Sequence, residues 1–194
     1  MKIICITGHC GTGKTTAIKI MEKQLPNSAV VRGDKFWIDA IIKHQNEFEE
    51  IYHMLLDMNK PYECLISVSN DSNLENEEKF KKFFCSFVPF IEKNIEEKIL
   101  ECKKSEKDFI LIEYVTLPMF KIWKQADFRI MITSNQEKRF VKIAERTLEK
   151  RGTHNENEFA RLIENINNVD VTIHNDYNKE FKKELINLCD KINV

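Results

Sequence analysis

One stretch near the start limits what this chain can fold into more than any other. Gly8-His9-Cys10-Gly11-Thr12-Gly13-Lys14-Thr15 fits G-x-x-x-x-G-K-[ST]. It lies between an apolar, β-branched run, Lys2 to Thr7, and a segment, Lys14 to Lys23, whose Ile18 and Met21 recur at helical spacing. A loop that joins a strand to a helix in this way turns backbone N–H groups inward around an anion, and the helix adds the positive end of its dipole. The chain holds only five glycines, and three of them, Gly8, Gly11 and Gly13, stand in this loop. That concentration needs a local cause, a backbone that approaches a ligand closely. The reading is a phosphate-binding loop for ATP formed by Gly8, His9, Cys10, Gly11, Thr12, Gly13, Lys14, Thr15 and Thr16. Lys14 reaches the β and γ phosphates, and the Thr15 hydroxyl ligates Mg²⁺.

The rest of the chain supplies a fold around the loop. Further strands are expected at Ala29–Val31, Asp108–Val115, Phe128–Ile132 and Val169–Ile173, separated by helical patterns at Gln136–Lys150, Asn155–Asn167 and Lys179–Ile192. Glu47 to Lys103 reads as helices with one break, around Pro61 and the polar stretch Ser67 to Asn76. Alternating strands and helices predict a three-layer α/β/α fold of the P-loop NTPase type with a central, mainly parallel five-stranded sheet. It forms a single domain over 1–194: a core at about 1–45 and 105–194, a helical acceptor-covering insertion at about 46–104, and a lid at about 139–165.

Bulk properties narrow the classes. With 42% hydrophobic and 31% charged residues the chain is expected to fold, and a net charge of -1 gives no overall attraction to nucleic acid or anionic membrane. Its apolar runs are too short to span a bilayer and Met1-Lys2 leads straight into a strand, so a cytoplasmic location is expected. None of the six cysteines has the paired spacing of a zinc or redox motif, which predicts reduced thiols; Cys10 alone sits where a helix N-terminus lowers a thiol pKa. The histidines, His9, His44, His53, His154 and His174, show no metal-ligand spacing, and Phe80, Phe83, Phe84 and Phe87 recur as a core stripe.

The chemistry needs more than a phosphate holder. A switch GTPase carries D-x-x-G and N-K-x-D; the first is absent, and Asn59-Lys60 and Asn178-Lys179 continue in ways that break the second. Phosphoryl transfer to an acceptor instead needs a carboxylate near the γ-phosphate and cations to neutralise charge in the transition state. Asp34 follows the second strand, where strand ends beside the phosphate-loop strand open onto the crevice; its carboxylate either takes a proton from an acceptor hydroxyl or caps the next helix. Glu113 ends the apolar run Phe109 to Ile112 as a metal-side acid does. Of Arg139, Arg146, Arg151 and Arg161, the pair Arg146 and Arg151, flanking the Gly152 turn, are the expected phosphate clamps, Arg146 as a catalytic cation.

Taken in order, these features resemble the dephospho-coenzyme A kinase family along nearly the whole chain. The opening T-G-x-x-G-x-G-K-[ST]-T is similar to Thr7 through Thr16, and the family's acid after the second strand is similar in placement to Asp34. Its H-P-x-[IV] helix start resembles Val88-Pro89-Phe90-Ile91, with Val88 where histidine is usual, and its strand ending in a Pro-containing turn resembles Ile110 to Pro118. Its lid arginines resemble Arg146 and Arg161, and its late D-x-x-I-x-N strand resembles Asp170 to Asn175, placing Asn175 at the nucleotide. The resemblance implies Mg²⁺-dependent transfer of the ATP γ-phosphate to the ribose 3′-hydroxyl of dephospho-coenzyme A, with Asp34 as base. A nucleoside or deoxynucleoside monophosphate kinase, or a module that only binds or hydrolyses ATP, carries the same loop and remains open.

Overall fold

The computed structural model describes residues 1–33, 35–61, 63, 64, 67, 74–150 and 166–193, of which 74–77, 80, 84 and 146–150 are described by their backbone only. In chain order the elements are β1 (Lys2–Thr7), α1 (Lys14–Gln24), β2 (Ser28–Arg32), α2 (Lys35–Lys43), α3 (Gln45–Tyr52) and α4 (Leu74–Lys104). There follow β3 (Phe109–Glu113), a 3₁₀ turn (Leu117–Met119), α5 (Lys121–Gln125), β4 (Phe128–Thr133), α6 (Gln136–Lys150), β5 (Val171–His174) and α7 (Lys179–Ile192).

The five strands form one parallel sheet in the order β2-β3-β1-β4-β5. β3, Phe-Ile-Leu-Ile-Glu, is buried at every position, as a strand covered on both faces must be. Side chains alternate between two cores. Cys5, Val31, Ile110 and Ile112 face the helices α2 to α5, while Ile4, Ile6, Leu111, Ile130 and Ile132 face α1 and α7. Burial pushes the Cys5 thiol up to about 12 and that of Cys189 up to about 11, so both behave as small apolar side chains at neutral pH.

Four expectations are corrected. β2 does not lie beside the phosphate-loop strand, because β3 intervenes between β2 and β1. The most apolar run takes the interior place, and the end of β2 stands two strand spacings, about 10 Å, from β1. β3 stops at Glu113 instead of continuing to Val115, and β5 begins at Val171. Asp170 is occupied just ahead of it, its Oδ2 accepting the Arg129 backbone N–H at 2.7 Å and the guanidinium Nη1 at 3.0 Å. Pro89 lies inside the 31-residue helix α4, as the unbroken helical reading of that stretch has it and not at the helix start that the family resemblance implied. Phe83, Phe87, Ile91, Ile95 and Ile99, one every fourth residue, are buried on both sides of it, and that continuous apolar stripe carries the helix through the proline.

The helical stretch after β2 shares the main core. Trp37 of α2 meets Phe87 of α4 edge-on at 4.9 Å, and Phe48 of α3 meets Phe83 at 5.4 Å. Among the described residues no helix is long and apolar enough to cross a membrane.

Candidate phosphate-binding site

The loop after β1 turns back on itself and opens α1. Gly8 and Gly13 take φ of 144° and 99°, values that side chains rarely adopt, and each is also too crowded for a Cβ. A Cβ on Gly8 would lie 2.2 Å from the Ile132 carbonyl oxygen, and one on Gly13 2.3 Å from Asn175 Nδ2. Gly13 is the residue before α1 and has no side chain to cap it, and no acid stands in the first turn. The first N–H groups of α1 and the helix dipole therefore face the loop interior, which suits an anion.

Lys14 is almost entirely buried, and its ammonium lies inside the loop, donating to the Gly8 and His9 carbonyl oxygens, each at 2.9 Å. The His9 carbonyl also accepts the Thr12 hydroxyl at 2.9 Å and the Thr12 N–H at 3.3 Å. The His9 imidazole is pushed down to about 4, chiefly by burial and then by the cations Arg139 and Lys14, so it is neutral at physiological pH. Cys10 is half-buried, and its carbonyl receives Arg139 Nη1 at 3.5 Å. Thr15 and Thr16 are exposed in the first turn of α1.

β3 brings the acid to this mouth. Because β3 neighbours β1 directly, with Glu113 in register with Ile6, the Glu113 carboxylate reaches across to α1. Its Oε1 accepts the Thr15 hydroxyl at 2.8 Å, while Arg32 Nε, in register at the end of β2, lies 4.0 Å from Oε2. Glu113 is 4% exposed, and a buried carboxylate at that depth needs such partners. A hydroxyl and a carboxylate held together at a phosphate loop fit Mg²⁺, which takes one or two protein oxygens and leaves its other positions to water and phosphate. Among the described residues no group of three or more His, Cys, Asp or Glu comes together as a closed metal cage.

Two elements brace the loop from behind. Arg139 of α6 is 7% exposed, and it and Ile143 pack so closely on Gly11 that an added Cβ would come within 2.8 Å of Ile143 Cγ1. From the β5–α7 connection, Asn175 Nδ2 donates to the Thr12 carbonyl at 2.8 Å and the Tyr177 hydroxyl donates to the Gly11 carbonyl at 2.9 Å.

The structure thus assembles Lys14, Thr15, Glu113 and Asn175 around the loop, and adds three residues that the sequence reading did not select: Arg139, passed over for Arg146, together with Arg32 and Tyr177. Only the register of the strands, the packing of α6 and the path of the β5–α7 connection reveal them. Asp34, Arg151, Arg161 and the side chain of Arg146 lie outside the described residues, as does the helix expected at Asn155–Asn167 except for its last two residues, Ile166 and Asn167, which are not helical. The ends of the connection at Asp34 are fixed: Gly33 N–H donates to the Glu113 carbonyl at 2.9 Å, Phe36 N–H to the Gly33 carbonyl at 3.0 Å.

No family model and no curated protein matches the sequence. Solved structures do resemble the fold. TT1252 from Thermus thermophilus superposes with a TM-score of 0.70 at 15% identity, covering 100% of this chain and 98% of that one. Dephospho-CoA kinase from Campylobacter jejuni superposes with a TM-score of 0.55 at 20% identity, covering 98% of this chain and 97% of that one. The fold is the one these two structures share, a parallel five-stranded sheet between layers of helices. Both superpositions run over nearly the full length of the two chains compared. Within this fold, the 2-3-1-4-5 strand order is what sets Glu113 beside Thr15 and puts the end of β2 on the far side of Glu113 from the loop.

Proposed function

We propose that the protein is an ATP- and Mg²⁺-dependent kinase that transfers the γ-phosphoryl group to a hydroxyl of a small molecule, preferably the ribose 3′-hydroxyl of dephospho-coenzyme A. The observation that carries this reading is the loop itself, which holds the Lys14 ammonium within it and the Thr15–Glu113 pair at its mouth. The likeness of fold to a dephospho-CoA kinase supports the choice of acceptor, together with the order of motifs from Thr7 to Asn175.

In this reading the inward N–H groups of the loop and Lys14 bind the β and γ phosphates. The terminal phosphates compete with the Gly8 and His9 carbonyls for the ammonium, and as charged acceptors they outbid them. Mg²⁺ held by Thr15 and Glu113 would neutralise charge on the phosphate oxygens. The bond from the γ phosphorus to the β–γ bridging oxygen breaks, a bond to the acceptor oxygen forms, and Asp34 takes the hydroxyl proton. Arg139 contributes positive charge beside Cys10 and Gly11 of the loop, with Arg146 and Arg151 as further clamps. Positioning and electrostatic stabilisation supply most of the catalysis.

The test is to incubate the protein with Mg-ATP and, separately, dephospho-coenzyme A, the common nucleoside monophosphates and no acceptor, following ADP release. Turnover with dephospho-coenzyme A alone supports the proposal. Turnover with a nucleoside monophosphate would move the acceptor to that class, and equal turnover without any acceptor would reject the kinase reading in favour of ATP hydrolysis.

A further inference from the structure

We infer that Tyr177 is a positioning residue for the phosphate loop, acting with Asn175 as a two-point clasp that sets the direction of consecutive loop peptides before any ligand arrives. The inference rests on the nucleotide-binding reading and adds to it a residue with no place in the loop motif.

The geometry is specific. In a trans peptide the C=O and the following N–H point in opposite directions. The Tyr177 hydroxyl donates to the Gly11 carbonyl at 2.9 Å, so the N–H of Thr12 is turned to the other side, toward the loop interior, where it reaches the His9 carbonyl at 3.3 Å. Asn175 Nδ2 donates to the Thr12 carbonyl at 2.8 Å, which in the same way turns the Gly13 N–H inward. Two consecutive peptides are thereby turned the same way, the first with its N–H held on the His9 carbonyl and the second presenting the Gly13 N–H to the loop interior. Flanked by Gly11 and Gly13, these peptides have a backbone that can turn more easily than most, and the clasp adds to the Thr12 bonds to His9 in holding them.

Tyr177 is itself held in an unfavourable conformation. Its φ is 59°, the left-handed region, which costs a residue with a bulky side chain. Asn175 Oδ1 fixes that turn by accepting the Tyr177 N–H at 2.7 Å, and Asn178 caps α7 immediately afterwards through the N–H groups of Glu180 and Phe181. A strained residue whose surroundings over-determine it belongs to a place where the position of its side chain matters. A glycine would make this turn without strain, and it would have no hydroxyl to give to Gly11. Ser134 Oγ, 3.3 Å from the Tyr177 oxygen, completes the anchorage from the end of β4.

The experiment compares wild type with Tyr177→Phe, which keeps the ring and removes the bond to Gly11. Calorimetric Kd values are measured for Mg-ATP and for inorganic tripolyphosphate with Mg²⁺, beside the melting curve of the ligand-free protein and the ¹⁵N amide signals of Thr12 and Gly13. The variant should bind both ligands about three- to tenfold more weakly, the effect of losing one hydrogen bond, with broadened Thr12 and Gly13 amides and little change in melting. Equal Kd values in the two proteins would overturn the clasp, whether or not melting falls. So would a loss confined to ATP, which would mean that the ring touches the base and not that the loop is set. Failure of the wild type to bind either ligand would reject the nucleotide reading first, and the clasp with it.

Discussion

His9 shows how a single loop position couples charge to stability. In the folded chain its imidazole is lowered from 6.5 to about 4, by burial first and by Arg139 and Lys14 next. As pH falls, the unfolded chain takes the proton first, so stability that is full above pH 6.5 is lost between there and about pH 4. Melting temperature measured from pH 7 to pH 4.5 should fall faster in wild type than in His9→Asn, and the gap should close when Mg-ATP is present, since phosphate charge favours the imidazolium. Parallel curves for the two proteins would mean that His9 keeps its ordinary pKa. Neither this nor the place of Arg139 was legible in the sequence. The motif leaves His9 as an unspecified position, and an arginine at the start of a helix carries no mark of whether it faces solvent or the loop. Lys14, Thr15 and Glu113 were legible, because the motif and the end of an apolar run specify the local geometry that puts them there.

Elements were readable where one signal dominated. β1 and α1 followed from apolar period on either side of a glycine cluster, and β3 from four consecutive apolar residues. Strand order was not readable, since parallel strands pair across helices that say nothing of neighbours, so β2 was placed one position too close to β1. Helix α4 shows the two sources diverging: the apolar period reads through Pro89 as helix, as the structure has it, while the family resemblance sets a helix start there, and the burial of Phe83, Phe87, Ile91, Ile95 and Ile99 explains why the period prevails. Pro89 is exposed and inside that helix, where it removes a backbone donor and its ring crowds the carbonyl four residues back. Pro89→Ala should therefore stabilise the protein by about 1–3 kcal/mol, read as a higher urea midpoint at constant slope. An unchanged or lower midpoint would show that Pro89 suits the backbone that α4 adopts there.

At the scale of the molecule, the loop is tied to parts of the fold that share no sequence neighbourhood: to β3 through Thr15 and Glu113, to α6 through Arg139, and to the β5–α7 connection through Asn175 and Tyr177. A ligand held there stabilises all of them together. At 100 times its Kd a ligand adds about 2.7 kcal/mol, which for a chain of this size raises the melting temperature by roughly 5–10 °C. The chain's two tryptophans provide a test of how far that effect spreads, because Trp37 and Trp123 both lie in the core beneath α2 to α5, on the sheet face opposite α1 and α7. Mg-ATP should raise the transition seen by tryptophan fluorescence and the one seen by circular dichroism by the same amount, since the sheet joins both cores into one cooperative unit. Lys14→Ala should abolish both shifts while leaving a cooperative ligand-free transition. A shift in circular dichroism without one in fluorescence would mean that the face under α2 to α5 unfolds independently of the phosphate loop, and that an acceptor bound there is coupled to ATP through the ligands alone.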